Sequence, residues 1–111
     1  MPHIKYITIE TLLKTIENEN EFKLVEALSE GAYNQGHIPG AINIPPNRIE
    51  SEAENYLNKD DKIVVYCVNY TCESSKKATE KLLEMGYENT VDFKAGKLGW
   101  RRAGFNLDTR S

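Results

Sequence analysis

The sequence predicts a single α/β domain over residues 1–111, with a central, mostly parallel five-stranded sheet and helices on both of its faces. Short apolar runs typical of strands alternate along the chain with segments of helical periodicity. The most apolar run, residues 62–67, is expected to be a central strand that is buried on both faces. A length of 111 residues suits one domain with one core.

In the first half of the chain, strands are predicted at residues 4–7, 22–28 and 41–44. Thr8 is a suitable N-cap for a helix between the first two strands. The apolar positions of that helix share one face: Ile9, Leu12, Leu13 and Ile16. The polar run at residues 17–21 ends the helix, residues 31–36 form a turn or a short helical piece, and two prolines at 45–46 end the third strand.

In the second half, Asn47 and Glu50 form a capping-box-like pair that opens a helix toward Leu57, and residues 58–61 form a turn. After the central strand, Ser74 or Ser75 is expected to cap the next helix. Its inward positions and its end follow from the spacing: Ala78, Leu82, Met85, with Leu83 beside them, and Gly86 as terminator. A last strand at residues 90–93 and a short helix containing Leu98 and Trp100 complete the chain.

Composition excludes several classes of protein. A net charge of −3 gives no electrostatic case for a nucleic-acid or anionic-membrane partner. No apolar run approaches the roughly 20 residues that span a bilayer, and residues 1–5 lack the basic and apolar regions of a signal peptide. Two cysteines do not form a disulfide framework. We therefore expect a cytoplasmic protein with reduced thiols.

Cys67 stands where the central strand ends and a polar loop leads into a helix. At such a position a thiolate is stabilised, because a helix N-terminus carries roughly half a positive charge and presents free N–H groups. Cysteines in such settings have pKa values of about 3.5–7.5 instead of about 8.5. Cys67 is thus a candidate nucleophile. The alternative is that it is only a small buried apolar residue that closes the strand.

Four segments, in this order and spacing, resemble the rhodanese-like domain family. They are GHIPGAINIP at residues 36–45, IVVYC at 63–67, LLEMGY at 82–87, and AG at 95–96 followed by Trp100 and AGF at 103–105. The resemblance covers nearly the whole chain. Within these segments, His37 is expected to fix loop geometry rather than transfer protons, and Trp100 to pack in the core. Gly40 and Gly96 are expected to allow positive φ or close backbone approach.

The resemblance implies a single-domain rhodanese fold and a sulfurtransferase activity. Cys67 would take a sulfane sulfur from thiosulfate or a persulfide donor, become a persulfide, and pass the outer sulfur to a thiol or cyanide. The implied partner is a small sulfur donor or a persulfide or thiol carrier protein, and no metal or organic cofactor is implied. The oligomeric state is not indicated.

The active loop departs from the common family pattern. Cys72 takes the place of an arginine in a C-x4-C loop, which is about two residues longer than usual. The expected loop and substrate-binding residues are Val68, Asn69, Tyr70, Thr71, Glu73 and Ser74. Cations for an anionic donor are sought at Lys76, Lys77, Lys97 and Arg101, with solvated surface as the alternative. Leu28 replaces a common arginine, which removes the expected partner of the acid at Glu26.

Cys72 leaves three alternatives open. It attacks a persulfide on Cys67 and leaves a disulfide, it protects Cys67 from over-oxidation, or it is an inert loop residue. Accordingly, a thiol redox enzyme or sensor and a non-catalytic binding module compete with the sulfurtransferase. Phosphatase chemistry is rejected, because the loop lacks the arginine that clamps phosphate and Glu73 would repel it. A metal site is disfavoured, because two thiols and distant histidines do not supply four ligands.

Overall fold

The computed structural model describes residues 3–18 and 21–110, in which strands and helices alternate. The strands are β1 (Lys5–Ile7), β2 (Lys23–Glu26), β3 (Ile42–Asn43), β4 (Ile63–Tyr66) and β5 (Thr90–Phe93). The helices are α1 (Ile9–Asn18), α2 (Glu30–Gln35), α3 (Ile49–Tyr56), which follows a 3₁₀ helix (Pro46–Arg48), α4 (Ser74–Glu84) and α5 (Gly96–Arg102). The predicted fold class is confirmed.

The five strands form one sheet in the order β1-β5-β4-β2-β3, and every pairing between these strands is parallel. β4 is the central strand, and all four of its residues are buried. Val65 lies opposite Val25 of β2 on one side and Asp92 of β5 on the other. The continuous apolar run therefore forms the central, fully buried strand that its pattern predicts, since a central parallel strand is covered by helices on both faces.

Each face of the sheet carries its own apolar cluster. One cluster joins alternate residues of β2 and β4 to α3 and α4, and includes Val25, Ile63, Val65, Ala78 and Leu82. The other joins the intervening residues to α1 and α5, and includes Leu12, Leu24, Val64, Tyr66, Phe93 and Trp100. Trp100 is a packing residue, as expected, and its indole N–H donates to the carbonyl of Asn106 at 2.9 Å.

Several local predictions are confirmed. The hydroxyl of Thr8 accepts the backbone N–H of Thr11 at 3.3 Å at the start of α1. Gly86 ends α4 with a φ of 98°. His37 fixes loop geometry: its Nδ1 lies 2.9 Å from the carbonyl of Tyr33, and its backbone exchanges hydrogen bonds with Asp108. Thr8 and Gly86 act within their own segments, whereas His37 also ties its loop to the C-terminal part of the chain.

Other local predictions were wrong. Asn47 lies inside the 3₁₀ helix and makes no cap, while Glu50 pairs with Lys81 at 3.4 Å. Neither serine caps α4, because Glu73 occupies the N-cap position without a side-chain bond. Ile16 lines a groove with Leu24 and Trp100, on the predicted apolar side of α1, but it is 42% exposed because that groove is open. Of the predicted helix-ending run at residues 17–21, positions 19 and 20 lie outside the described residues.

None of the helices in the described part of the chain combines the length and apolar character needed to cross a bilayer.

Candidate active site

The start of α5 holds the backbone at the end of β4. The N–H of Lys97 donates to the carbonyl of Cys67 at 3.0 Å, and the N–H of Leu98 donates to that of Val68 at 2.9 Å. Gly96 makes this approach possible. Its φ is 61°, and a Cβ there would lie 2.3 Å from the carbonyl oxygen of Cys67. Only glycine fits, as the sequence predicted, and Cys67 is anchored from its carbonyl side.

The sulfur of Cys67 is buried beneath the loop that follows it. The residue is 1% exposed, and its Sγ lies 3.5 Å from both the carbonyl oxygen of Cys72 and the hydroxyl oxygen of Ser75. Burial, together with a hydrogen bond to the Cys72 side chain, raises the pKa of Cys67 to about 11, although the hydroxyl and backbone N–H of Ser75 oppose the shift. The predicted resting thiolate at Cys67 is therefore wrong.

The amide cradle expected around Cys67 instead surrounds Cys72. Burial raises the pKa of the half-buried Cys72 thiol, but hydrogen bonds from Cys67 and from the backbone N–H groups of Val68 and Ser74 outweigh it, so the pKa is lowered. The hydroxyl of Ser74 adds to this effect. Both cysteines are free, and their sulfurs share one hydrogen bond. The more acidic thiol of the pair is thus Cys72.

The loop between the cysteines is folded by its own hydrogen bonds. The carboxamide oxygen of Asn69 accepts from the N–H and the hydroxyl of Thr71 at 3.1 and 2.9 Å, and its backbone carbonyl accepts from the N–H of Cys72 at 3.2 Å. Tyr70 stands at the crest and is 65% exposed. Glu73 is exposed, and its carbonyl bonds the N–H of Lys77 in α4. A ligand entering from solvent would meet Tyr70 and Val68 first.

The four predicted anion contacts divide into two pairs. Lys76 and Lys77 are exposed in the first turn of α4, next to the loop. Arg101 instead bonds the side chain of Asn106 at 2.8 Å and the carbonyl of Phe105 at 3.3 Å. The ammonium of Lys97 is part-buried and already contacts two protein groups, a carboxylate and a backbone carbonyl.

Lys97 supplies the cation that Glu26 lacks in its own segment. Glu26 is fully buried, and its Oε2 faces the Lys97 ammonium at 3.1 Å as an ion pair without an aligned hydrogen bond. The other oxygen, Oε1, accepts from the hydroxyl of Tyr66 at 2.7 Å, and that hydroxyl accepts the N–H of Ile38 at 3.0 Å. Lys97 also donates to the carbonyl of Ala32 at 3.0 Å. Glu26 therefore has a salt bridge, with Lys97 in place of the arginine that Leu28 replaces.

Sequence reasoning missed the contact of Ser75 with Cys67 and the burial of Asp92. Ser75 is predicted only as a cap, yet it is 1% exposed and reaches the sulfur of Cys67. Asp92 lies on β5 and is 1% exposed. The signal that could have found it is a charged residue in the middle of an otherwise apolar strand.

No group of three or more His, Cys, Asp or Glu side chains within residues 3–18 and 21–110 is arranged to hold a metal ion. A groove of about 540 Å³ lies beside β3, between α2 and α3, and another of about 310 Å³ lies near Trp100. Neither cysteine lines either of these two grooves, and Cys67 is 1% exposed beneath its loop.

The rhodanese-like domain model matches residues 8–103. The chain belongs to the rhodanese-like domain family. It is 24% identical over 97 residues to a putative sulfur carrier protein of Bacillus subtilis, a match that covers 87% of this chain and 51% of the relative. The chain thus spans about half the length of that relative.

Two further similarities extend over the whole domain. The chain is 26% identical to a sulfurtransferase of Allochromatium vinosum, with 94% of each chain covered. The crystal structure of a rhodanese-like domain protein from Staphylococcus aureus superposes with a TM-score of 0.81 at 25% identity, covering 97% of this chain and 100% of that one. A relative named as a sulfurtransferase and a solved rhodanese-like domain protein are thus both similar to this chain over nearly its whole length.

Proposed function

We propose that this protein is a sulfurtransferase that carries a sulfane sulfur as a persulfide on Cys67. The observation that carries the proposal is a pair of hydrogen-bonded thiols at the carboxyl end of the central strand, where open parallel sheets bind ligands. Membership of a family with sulfurtransferase relatives supports the reaction class. A cytoplasmic setting belongs to the proposal, because the reaction needs the Cys67 thiol reduced.

Cys67 reacts as a thiolate, so its thiol first loses a proton to water. Burial opposes this loss, whereas the hydroxyl and the backbone N–H of Ser75 favour it. The Cys67 thiolate then attacks the sulfane sulfur of thiosulfate, forms an S–S bond and expels sulfite. An acceptor thiolate or cyanide attacks the outer sulfur of the persulfide, and the Cys67 thiolate leaves.

The positive end of α4 and nearby lysines favour an anionic donor. Ser75 gives its backbone N–H and its hydroxyl to the sulfur of Cys67, so a negative charge there has two donors. Lys76 and Lys77 lie on the exposed first turn beside the loop and attract thiosulfate from solution. A persulfide on a carrier protein is the other donor class that this site would serve, as the sulfur-carrier relative suggests.

The test compares Cys67→Ser with Cys72→Ser, two isosteric changes five residues apart. After incubation with thiosulfate, intact mass should show one added sulfur atom on the wild type and on Cys72→Ser. Cys67→Ser should show none, and its thiocyanate production should fall to background. Equal turnover by Cys67→Ser and the wild type would refute the proposal, and absence of a persulfide with any donor would favour the binding module.

A thiol redox function is the second candidate, favoured by the contact between the two sulfurs. With a persulfide on Cys67, the Cys72 thiolate attacks the inner sulfur, forms a disulfide and expels hydrosulfide. A mild oxidant should also join the two thiols within one chain, which intact mass after alkylation would show as a loss of two hydrogens. If both thiols remain open to labelling after oxidant treatment, the redox function is excluded.

A further inference from the structure

Three exposed apolar side chains lie on and beside the loop that covers Cys67. Val68 follows Cys67 directly and is 41% exposed, and Tyr70 at the crest of the loop is 65% exposed. Leu98 on α5 is 40% exposed, and its backbone N–H donates to the carbonyl of Val68 at 2.9 Å. Large apolar side chains that are exposed together are typical of a surface that another molecule covers. We call these three residues the loop patch.

The charged residues beside the loop patch are mostly cations. Within residues 68–77 and 96–102, Glu73 is the single acidic residue, and the basic residues are Lys76, Lys77, Lys97, Arg101 and Arg102. Glu26 neutralises Lys97, whereas the other four are exposed, and the hydrogen bonds of Arg101 go to neutral groups. The net charge of the chain is −3. The surface around the loop is therefore positive in a protein that is negative as a whole.

These cations lie at two opposite edges of the loop patch. Arg101 and Arg102 follow Leu98 by three and four positions on α5, the spacing at which side chains are neighbours on a helix surface. Lys76 and Lys77 lie in the first turn of α4. The two helices pack on opposite faces of the sheet, so their cations flank the loop from both sides. An apolar centre with a charged periphery is the usual arrangement of a protein–protein interface.

We propose that the loop patch is the docking surface for an acidic protein segment whose cysteine accepts the sulfur from Cys67. This inference rests on the proposed function and specifies the acceptor. A small acceptor such as cyanide gains nothing from three exposed apolar side chains, whereas a polypeptide buries them against apolar residues of its own. Aspartates or glutamates in the same segment complement the cations at both edges.

The transfer to such a segment needs no further reagent. The thiolate of the acceptor cysteine attacks the outer sulfur of the Cys67 persulfide and forms a new S–S bond. The bond between that sulfur and the Sγ of Cys67 breaks, and its electron pair stays on Cys67 as a thiolate. The cations beside the loop patch favour this step, because a nearby positive charge lowers the pKa of the acceptor thiol and increases its thiolate fraction.

The experiment uses the full chain with Cys72→Ser, in which Cys67 is the only cysteine. This parent protein is loaded with thiosulfate and desalted. Intact mass then follows the transfer of sulfur to a short synthetic peptide of glutamates and leucines with a single cysteine, and to a counterpart with lysine in place of each glutamate. At low ionic strength the acidic peptide should accept the sulfur on the order of tenfold faster, and added salt should reduce the difference.

Leu98→Ser and Arg102→Glu test the apolar centre and the charged edge separately. Leu98→Ser should slow transfer to the acidic peptide about threefold to tenfold and leave loading with thiosulfate unchanged. Arg102→Glu should reduce the preference for the acidic peptide by about threefold or more. The matched controls are Ile16→Ser, at a side chain 42% exposed, and Lys14→Glu, which changes the net charge equally. Both controls lie toward the end of α1 and should match the parent.

Circular dichroism reports whether each variant folds. If Leu98→Ser does not fold, Arg102→Glu and the two peptides decide. Equal transfer rates to the acidic and the basic peptide would overturn the inference. A loss in Ile16→Ser as large as that in Leu98→Ser would overturn it as well, because the effect would then not belong to the loop patch.

A binding measurement separates this inference from the proposed function. It uses fluorescence anisotropy of the labelled acidic peptide with serine in place of its cysteine, which needs no sulfur on the protein. If the parent takes up no sulfur from thiosulfate, the sulfurtransferase proposal fails, and weaker binding by Leu98→Ser than by Ile16→Ser still supports the docking surface. If the parent takes up sulfur but the two peptides bind and react equally, the docking surface fails and the sulfurtransferase stands.

Discussion

Two buried carboxyl groups flank the central strand, one on each face of the sheet. Glu26 on β2 has an ammonium at 3.1 Å and a tyrosine hydroxyl at 2.7 Å. Asp92 on β5 has no partner at hydrogen-bond distance among the described residues. Burial raises the pKa of both groups, but Tyr66 and Lys97 oppose the rise at Glu26, whereas a serine and a more distant lysine do so at Asp92.

The two groups differ in how the cost of their burial is compensated. A compensated carboxylate ties together β2, β4 and α5, and its loss would leave other buried groups unpaired. An uncompensated carboxyl makes no hydrogen bond with a neighbouring group. Its burial therefore lowers the stability of the fold, and its presence needs another explanation. Asp92 lies on the same face of the sheet as the side chain of Cys67. Substitutions around Glu26 and substitutions around Asp92 should therefore affect different measurements.

The largest effect on stability is expected from Lys97→Met. The change leaves the charge of Glu26 buried without its partner, and breaking such a pair costs about 3–5 kcal/mol. Urea unfolding would measure it. The exposed Lys76→Met is the control and should change stability little. The double variant Glu26→Gln, Lys97→Met should recover much of the loss, and a loss as large as that of Lys97→Met would show that the two groups are not coupled.

Gly96→Ala should have the next largest effect, and it should change both the stability and the rate of sulfur transfer. A non-glycine residue at positive φ costs on the order of 1–3 kcal/mol, and the new Cβ would collide with the carbonyl oxygen of Cys67. We expect lower stability by urea unfolding and slower sulfur transfer. Gly31→Ala is the matched control, because it meets no atom within 4 Å. Unaltered stability in Gly96→Ala would contradict the observed backbone approach.

Tyr66→Phe tests the hydrogen bonds around Glu26. It removes the hydroxyl that donates to Glu26 and accepts from the N–H of Ile38. Each of these two groups then lacks a hydrogen bond, which should lower the free energy of unfolding by about 1–3 kcal/mol. The ring of Tyr87 is equally buried, and no hydrogen bond of its hydroxyl is seen within the described residues, so Tyr87→Phe serves as control. The rate of alkylation of Cys67 should not change in either variant. A large change would mean that the surroundings of Glu26 and those of Cys67, on opposite faces of the sheet, are not independent.

The smallest effect is the pH dependence of stability that Asp92 causes. Because the native pKa of Asp92 is raised, its contribution to the free energy of unfolding is fully present below the unfolded pKa of about 3.9 and is lost as pH rises toward the native pKa. Asp92→Asn has no such loss. Its stability relative to the wild type should therefore increase with pH, as urea unfolding between pH 4 and 8 would show. A constant difference would mean that Asp92 has an ordinary pKa.

Much of the fold could be predicted because its signals are local. The apolar run before Cys67, the glycine at 86 and the hydroxyl of Thr8 act on neighbouring residues, and the structure agrees with each. The serines at 74 and 75 show the limit of that reasoning. Their type and position suit a helix cap, but in the folded protein one hydroxyl serves each cysteine sulfur. A buried sulfur nearby competes with the cap, and this competition is invisible in the local pattern.

By itself, the sequence determined the α/β class, the order of the elements and the position of Cys67 at the end of the central strand. Periodicity and turn residues encode these features over a few positions. Only the tertiary structure decided that Lys97 neutralises Glu26, that the loop amides surround Cys72, and that Asp92 lies on the same face as Cys67. The first and third of these arrangements join residues far apart in the chain, and the second depends on how the loop folds. Burial sets the charge states of the groups, so the arrangements exist only once the sheet and helices have packed.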